Sequence, residues 1–274
     1  MKGVADGAKS DILDIIALNV RSEIVFGRFS DGCTSAYWKQ EEQAYIGQNW
    51  DWVQDQQQNL IQISIVQDGF PSIKMITEAG IIGKIGLNSD GVGVCFNAIR
   101  AKGVDKILLP VHLGLRMALE CKTATAAAEE LERIGMASSA HIMVGDKTTA
   151  FGLEFTSTTF ARLLVNSDGY LTHSNHMLLH HEDIHEPRWL EDSYTRVQTM
   201  EGNILQRKIL STQSFSTLFE DEAGFPCSIS RAADQNSDIA TLFNIVIDLN
   251  RATAVVKEGR PTSHSVSSII CLDF

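Results

Sequence analysis

The chain has 274 residues and a formal net charge of −11, with 44% hydrophobic and 21% charged residues. This composition is typical of a folded globular protein with a sizeable core. The acidic balance argues against nucleic-acid binding, and no apolar run reaches the roughly 18 residues of a membrane span. Five dispersed cysteines without zinc-site spacing indicate free thiols, and residues 1–32 contain no secretory signal. We therefore expect a cytoplasmic protein without a metal site, a membrane or a nucleic-acid partner.

The first predicted element is a helix over about residues 10–26. Ile12, Ile16 and Val20 recur at helical spacing, and Ser10 is placed as the cap. Turn-forming residues 28–32 then end the helix. From residue 33 onward, short apolar runs separated by Gly, Asn and Asp predict a mostly antiparallel sheet system. The predicted strands in this part cover residues 45–50, 60–66, 72–77, 80–86 and 91–97.

Two helices are predicted next, over residues 110–119 and 123–134, the second capped by Thr123. Strands, then helices, then strands again predict an α+β domain rather than a βαβ repeat. The later predicted elements are strands 141–144, 150–155 and 162–165, a helix that begins near Trp189, a helix over 215–222, and a hairpin of strands 241–248 and 253–256.

Three histidines lie close together in the polar segment 180–195, namely His180, His181 and His185. No cysteine or carboxylate stands at a spacing that would complete a metal site. We therefore expect a solvated loop at this position.

Cys33 is the strongest candidate for chemistry, within the run Asp31, Gly32, Cys33, Thr34 and Ser35. Gly32 tolerates the backbone distortion that thiol attack on the preceding carbonyl requires. Cleavage before Cys33 would leave an α-amine with a reference pKa of about 8 beside the thiol. One residue would then supply both nucleophile and base. On these five residues alone, an ordinary buried cysteine in a turn is the commoner alternative.

Three further segments, in chain order, carry candidate partners of Cys33. Residues 47–51 end in Asp51, residues 172–176 contain Asn175, and residues 228–232 contain Arg231. Taken singly, each has an ordinary structural alternative. Asp51 would be a capping residue, Asn175 a turn residue and Arg231 one half of a surface ion pair.

Taken together, these motifs resemble the acyl-CoA:6-aminopenicillanic acid acyltransferase (isopenicillin N acyltransferase) family of fungal N-terminal-nucleophile (Ntn) hydrolases. The resemblance covers residues 19–261, nearly the whole chain. It implies a four-layer αββα sandwich that cleaves itself between Gly32 and Cys33. The chain would then divide into a short N-terminal pro-segment, 1–32, and a catalytic domain, 33–274. The segments of closest similarity, besides the motifs, are 59–61, 76–84, 142–145, 151–155 and 240–245.

The resemblance also implies a role for each motif residue. Cys33 would hold the acyl group as a thioester, and Asp51 would hold the new α-amine. Asn175 would donate a hydrogen bond to the oxyanion. Arg231 would balance charge near Asp51 or bind a substrate carboxylate. Four hydroxyl residues are further processing or pocket candidates, the last two standing where the family has serines: Thr34, Ser35, Thr156 and Thr159.

The function implied by the resemblance is a self-processing cysteine amidohydrolase or acyltransferase of secondary metabolism. Its substrate would be a small amide of peptide or β-lactam type, with acyl-CoA as a candidate donor, its own N-terminal fragment as partner and no cofactor. The segment before Cys33 is shorter than in the family, and the peroxisomal tripeptide of penicillin-making members is absent. Two alternatives therefore stay open. One is an inactive or regulatory relative with an incomplete pocket, and the other is an amidase of choloylglycine or penicillin V hydrolase type.

Overall fold

The computed structural model describes residues 1–24, 32–187, 189–262 and 268–274. The helices in these ranges are α1 (Lys2–Ala8), α2 (Ile12–Asn19), α3 (Arg21–Ile24), α4 (Val111–Leu119), α5 (Ala124–Ile134), α6 (Asp192–Leu205) and α7 (Thr212–Ser216). The strands are β1 (Cys33–Gln40), β2 (Gln43–Val53), β3 (Leu60–Ile65), β4 (Ile73–Glu78), β5 (Ile85–Asn88), β6 (Gly93–Ala98), β7 (Ala140–Gly145), β8 (Ala150–Phe155), β9 (Phe160–Leu164), β10 (Tyr170–His173), β11 (Ile239–Asp248), β12 (Thr253–Glu258) and β13 (Ile269–Leu272). Two 3-10 helices cover Gln54–Asn59 and Thr217–Glu220.

The strands form two antiparallel sheets. One sheet has the order β10-β1-β2-β11-β12-β13, and the other runs β3-β4-β5-β6-β7-β8-β9. The seven-stranded sheet follows chain order, so each strand pairs with its sequence neighbour. The six-stranded sheet instead brings β1, β2 and β10 beside β11, which comes from far along the chain. Residues that are distant in sequence therefore meet at the ends of these central strands.

Alternating side chains along β1 show how the layers stack. Tyr37 belongs to the core between the two sheets, whereas Trp38 points into a second core on the other side of the strand. Phe215 of α7 and Met200 of α6 complete that second core. On the far side of the molecule, Leu131 of α5 is buried against the seven-stranded sheet, which α4 also contacts. The four-layer αββα sandwich predicted from the sequence is confirmed.

Three of the predicted elements differ from the structure. The helix predicted over residues 215–222 is observed as α7, which ends at Ser216, followed by the 3-10 helix Thr217–Glu220. The predicted helix over residues 10–26 is divided into α2 and α3, and Asp11 rather than Ser10 caps α2 by accepting from the backbone N–H of Leu13 at 2.8 Å. Residues 25–31, which include most of the predicted turn and the predicted end of that helix, lie outside the described residues.

The predicted strand over residues 80–86 was also wrong for most of its length. The chain turns at Gly80, where φ is +96°, and only Ile85 begins β5. The segment between them lies against α4, because a Cβ on Gly83 would stand 2.1 Å from the carbonyl oxygen of His112. The glycines there permit a turn and a close approach between two backbone segments. The alternation of apolar residues in such a segment looks the same as in a strand, so the pattern alone did not separate the two.

Three buried or half-buried side chains attach the N-terminal segment to the rest of the fold through hydrogen bonds and an ion pair. Asn19 donates to the carbonyl oxygen of Gly80 and accepts from the backbone N–H of Ile82, at 2.8 and 2.9 Å. Arg21 forms an ion pair with Glu78. Within α3, Glu23 accepts hydrogen bonds from the first backbone N–H of α4 at 3.0 Å and from the hydroxyl of a serine, Ser138, at 2.9 Å. The segment is thus part of the folded unit.

Among the described residues, no helix is long and apolar enough to cross a membrane. Over the same ranges, no group of three or more His, Cys, Asp or Glu side chains has an arrangement that would hold a metal ion.

Replacement of Asn19 by Ala should lower the free energy of unfolding by roughly 1–3 kcal/mol, because removal of this fully buried amide would leave the part-buried N–H of Ile82 without its acceptor. Urea denaturation at neutral pH measures the change. The matched control is Asn59→Ala, because Asn59 is exposed and its side chain bonds only to Gln56 among the hydrogen bonds described. Its free energy of unfolding should stay within about 0.5 kcal/mol of the parent value. Equal effects of the two substitutions would contradict this account of the N-terminal segment.

Candidate active site

The site forms where β1 begins, between its two neighbouring strands. The register of β1 and β2 sets Cys33 opposite Trp50, so Asp51 comes directly after that pair. On the other side, Ser35 pairs with His173, and continuation of the antiparallel register brings Asn175 beside Cys33. The pairing of three strands therefore assembles the nucleophile candidate and two of its expected partners.

The backbone of Cys33 is held on both sides of its Cα atom. Its N–H donates to Oδ1 of Asn175 at 2.7 Å, and its carbonyl oxygen accepts from the hydroxyl of Ser174 at 2.8 Å. Nδ2 of Asn175 donates to the carbonyl oxygen of Ala98 at 3.1 Å. Cys33 is fully buried, so its backbone position is fixed within a preorganised set of hydrogen bonds.

Asp51 is fully buried and only partly compensated. Thr241, its register partner on β11, donates to Oδ1 at 2.7 Å, and Nε of Arg231 lies 3.5 Å from Oδ2. Among the described residues, neither Oδ2 nor that Nε has a hydrogen-bond partner. Burial raises the pKa of Asp51 to about 7, although Arg231 and Arg196 attract the ionised form. An ion pair without a hydrogen bond is too weak to offset the loss of hydration.

Gly32 lies against the carboxyl group of Asp51. A Cβ atom on Gly32 would stand 2.8 Å from Nε of Arg231 and 3.1 Å from Oδ2 of Asp51. A larger residue would have to displace one of the two charged groups. The glycine therefore permits a close approach between the peptide before Cys33 and the buried charges, whereas Asp31 lies outside the described residues.

Two charged residues of the site were missed by the sequence analysis, Asp192 and Arg196 on α6. Arg196 is 1% exposed and donates to the carbonyl oxygen of Cys33 at 2.7 Å. Asp192 binds Nε of Arg196 at 2.8 Å and also pairs with Arg231. Arg196 lies on the buried stripe of α6 with Val197. A charged side chain on the apolar face of an amphipathic helix was the signal that could have found it.

The four hydroxyl candidates divide into two groups. Thr34 accepts from Arg196 at 3.0 Å and so belongs to the site. Ser35 points the other way and donates to Asn97 at 2.6 Å. Thr156 and Thr159 hydrogen-bond each other at 2.9 Å in the turn after β8, outside the group of residues that contacts Cys33 directly.

The expectation of a solvated histidine loop is wrong for His181. His181 is buried, with Nδ1 2.9 Å from the hydroxyl of Thr159 and Nε2 3.2 Å from Oε2 of Glu154. Burial opposes ionisation of Glu154, but hydrogen bonds from His173 and His181 outweigh it and hold the pKa of Glu154 well below its usual value. His173 also lies 2.8 Å from the carbonyl oxygen of Ser174. Thr159 is thus linked to the site through buried hydrogen bonds.

A pocket opens among neighbours of the site, although Cys33, Asp51 and Asn175 are not among its lining residues. Trp50 and Ala98, which pair with Cys33 and Asn175, both line it. Its walls combine aromatic and cationic side chains, namely Trp50, Trp52, Trp189, Arg21, Lys84 and Arg100. Among the described residues, the Nε1 atoms of Trp50 and Trp189 are buried without a hydrogen-bond partner. The pocket therefore concentrates positive charge inside an acidic protein.

Lys84 is the most deeply buried cation of the pocket. Its Nζ lies 2.8 Å from Glu78 and 4.1 Å from the centroid of the Trp50 ring. Burial lowers the pKa of Lys84 to about 8, against the attraction of Glu78 and of Cys33. The ammonium group is therefore near enough to Cys33 for an electrostatic attraction to its ionised thiol.

The model of the acyl-coenzyme A:6-aminopenicillanic acid acyl-transferase family matches residues 38–263. The 40 kDa form of the acyltransferase of that name from Emericella nidulans is 43% identical over 266 residues, which is 95% of this chain and 74% of the relative. The chain belongs to this family. It is therefore an enzyme of the acyltransferase and amidohydrolase type.

Solved structures support the fold. An N-acylethanolamine-hydrolyzing acid amidase orthologue from Caenorhabditis elegans superposes with a TM-score of 0.59 at 18% identity, over 88% of this chain and 100% of the other. A mutant of the conjugated bile acid hydrolase from Clostridium perfringens gives 0.62 at 10% identity, over 88% and 92%. At such identities the likeness concerns the fold alone, which is the Ntn-hydrolase sandwich.

The raised pKa of Asp51 predicts a pH-dependent stability for the uncut chain. The comparison is between the uncut variant Cys33→Ala and the double variant Cys33→Ala/Asp51→Asn. The free energy of unfolding of the first minus that of the second should fall by roughly 2–4 kcal/mol as pH rises from about 4 to about 7. In this window the folded carboxyl keeps its proton and the unfolded one has released it, so raising the pH favours unfolding. Above pH 7 the difference should level off.

Urea denaturation across this pH range measures the difference. The exposed Asp68 supplies the matched control as Cys33→Ala/Asp68→Asn, whose difference from Cys33→Ala should not follow this profile. A stability difference for Asp51 that stays constant or grows with pH would show that the Arg231 ion pair, and not burial, governs this carboxyl.

Proposed function

We propose that the chain cleaves itself between Gly32 and Cys33 and then uses the freed Cys33 to take up an acyl group as a thioester. The observation that carries this proposal is the enclosure of the Gly32–Cys33 peptide. Asn175 binds its N–H at 2.7 Å, while Gly32 rests against Asp51 and Arg231. The residues expected to serve catalysis thus already surround the bond that would be cut.

The self-cleavage needs no cofactor. Sγ of Cys33 attacks the carbonyl carbon of Gly32, the C–N bond breaks, and the nitrogen of Cys33 gains the proton that the thiol gives up. The product is a thioester that joins Gly32 to Sγ. Water then hydrolyses this thioester, which leaves Gly32 as a carboxylic acid and Cys33 with a free thiol and a free α-amine.

Each side chain has a definite task in the subsequent acyl transfer. Gly32, which precedes the new α-amine, rests against the carboxyl group of Asp51, so Asp51 would orient the amine by a hydrogen bond. The amine takes the thiol proton when Sγ attacks the substrate carbonyl. Asn175, whose Nδ2 already donates to the carbonyl oxygen of the pocket residue Ala98, would give its second N–H to the developing oxyanion. Arg231 would keep Asp51 in place and balance its charge.

The N-terminal segment would remain bound after cleavage. Its contacts through Asn19, Arg21 and Glu23 are all made upstream of the cut, and they attach it to parts of the chain beyond Cys33. Arg21 also lines the pocket. We therefore propose residues 1–32 and 33–274 as two fragments of one working unit.

The pocket favours a small amide that carries negative charge beside an apolar group. Arg21, Lys84 and Arg100 supply positive charge, and the indole rings of Trp50 and Trp189 supply apolar surface. A carboxylate on a peptide-type or β-lactam-type amide has this character. The name of the Emericella relative supports acyl-CoA as the acyl donor of such an amine.

Intact-mass spectrometry of the purified chain tests the self-cleavage. We expect one fragment that ends at Gly32 and a second that begins with Cys33, because the thiol attack fixes the cut at that bond. Cys33→Ala should stay intact. The exposed Cys271, as Cys271→Ala, should be cut like the parent and serves as the matched control.

An intact wild-type chain with full amidase activity would contradict self-cleavage. A folded, intact chain that a thiol-directed acylating probe does not label would favour the inactive relative instead.

Acyl-enzyme trapping tests the thioester and its donor. When the processed protein is mixed with acyl-CoA thioesters of differing chain length, the Cys33 fragment should gain the mass of the acyl group, and hydroxylamine should remove it. Cys33→Ala should gain none. Turnover of amides without acylation by any acyl-CoA would contradict the donor and favour a hydrolase of the choloylglycine or penicillin V type.

A further inference from the structure

Arg196 contacts four groups of the site, of which one is the backbone of Cys33. Its NH1 donates to the carbonyl oxygen of Cys33 at 2.7 Å and to the hydroxyl of Thr34 at 3.0 Å. The same nitrogen hydrogen-bonds the hydroxyl of Ser174, and NH2 donates to Oδ1 of Asn175 at 3.0 Å. One buried guanidinium thus joins the nucleophile residue to the candidate oxyanion donor.

These contacts settle which way the amide of Asn175 faces. Its Oδ1 receives hydrogen bonds from Cys33 N–H and from Arg196, both of which are donors. A flipped amide would set its own N–H groups against a guanidinium, which has no acceptor. Nδ2 is therefore directed to the opposite side, toward the carbonyl oxygen of Ala98. After self-cleavage the nitrogen of Cys33 becomes a more mobile amine, so Arg196 remains the fixed restraint on the amide.

Asp192 holds the guanidinium in this position. Its Oδ2 accepts from Nε of Arg196 at 2.8 Å, and the same oxygen pairs with Arg231. The buried charge of Arg196 therefore has a counter-ion one helical turn away on α6. Asp192 therefore fixes one edge of the planar guanidinium group of Arg196, and the N–H groups on its other edge donate to the site.

We infer that Arg196, held by Asp192, is a positioning residue that fixes Asn175 for oxyanion binding and holds the carbonyl of Cys33. This inference rests on the proposed function. Arg196 acts on the protein groups rather than on the substrate, so its loss should slow the chemical step and leave substrate affinity unchanged. A lysine keeps the charge but cannot contact Cys33, Asn175 and Asp192 together.

The first-order rate of self-cleavage provides a readout that requires no known substrate. We expect Arg196→Lys to lower this rate roughly 10- to 100-fold, as small losses of orientation do. Arg196→Ala should be slower still and should regain part of the rate when guanidinium chloride is added at low, non-denaturing concentration. Potassium chloride at the same concentration should not restore it. Arg207→Lys, in the segment that follows α6, is the matched control and should keep the parent rate.

The outcomes separate this inference from the proposed function. If Cys33→Ala is still cut, the proposed function fails whatever Arg196 does. If Cys33→Ala is intact and Arg196→Lys cleaves at the parent rate, this inference alone is overturned. A slow Arg196→Lys whose melting temperature falls in parallel, together with an Arg196→Ala variant that guanidinium does not rescue, would indicate a purely structural role and would also overturn it.

Discussion

The site depends on the antiparallel pairing of β1 with β2 on one side and with β10 on the other. Because Cys33 is the first residue of β1, the backbone before it leaves the sheet at the point where Asp51 and Asn175 stand. Neither partner could be supplied by residues near Cys33 in the chain. β11 adds Thr241 opposite Asp51, next to an irregularity in the register. A one-residue slip of β1 would turn Cys33 to the other face and separate all of these groups.

Charge balance sets the protonation state of the amine that the proposed cleavage would release. Asp51 is buried with an incomplete ion pair, and its pKa near 7 means that ionisation at neutral pH is costly. Arg196, Arg231 and Asp192 already contain more positive than negative charge when Asp51 is protonated. On the proposed route, cleavage places an α-amine beside this group. The two arginines disfavour its ammonium form, so the neutral amine stays available as the base for the thiol.

The predictable part of the site was the part carried by local motifs. Cys33, Asp51 and Asn175 stand in short runs that can be recognised from sequence, and the structure brings them together. Arg196 was not predicted because helical periodicity indicates which residues are buried but not which residues of other elements they contact. His181 was misjudged for the same reason, since its partner Glu154 comes from β8. The sheet layers were predictable because alternation and turns are local, whereas their contacts with α6 are not.

The N-terminal segment is connected to Cys33 through a series of charged side chains. Arg21 forms an ion pair with Glu78, Glu78 also binds Lys84, and the ammonium of Lys84 attracts the thiol of Cys33. Loss of the segment would remove one of the two cations that bind Glu78 and would open the pocket wall formed by Arg21 and Ser22. Lys84 would then be the sole described cation paired with this carboxylate, and the field at the thiol would change. On the proposed route, function after a cut at Gly32 would require the fragment to stay bound, and the buried Asn19 supplies an attachment for it.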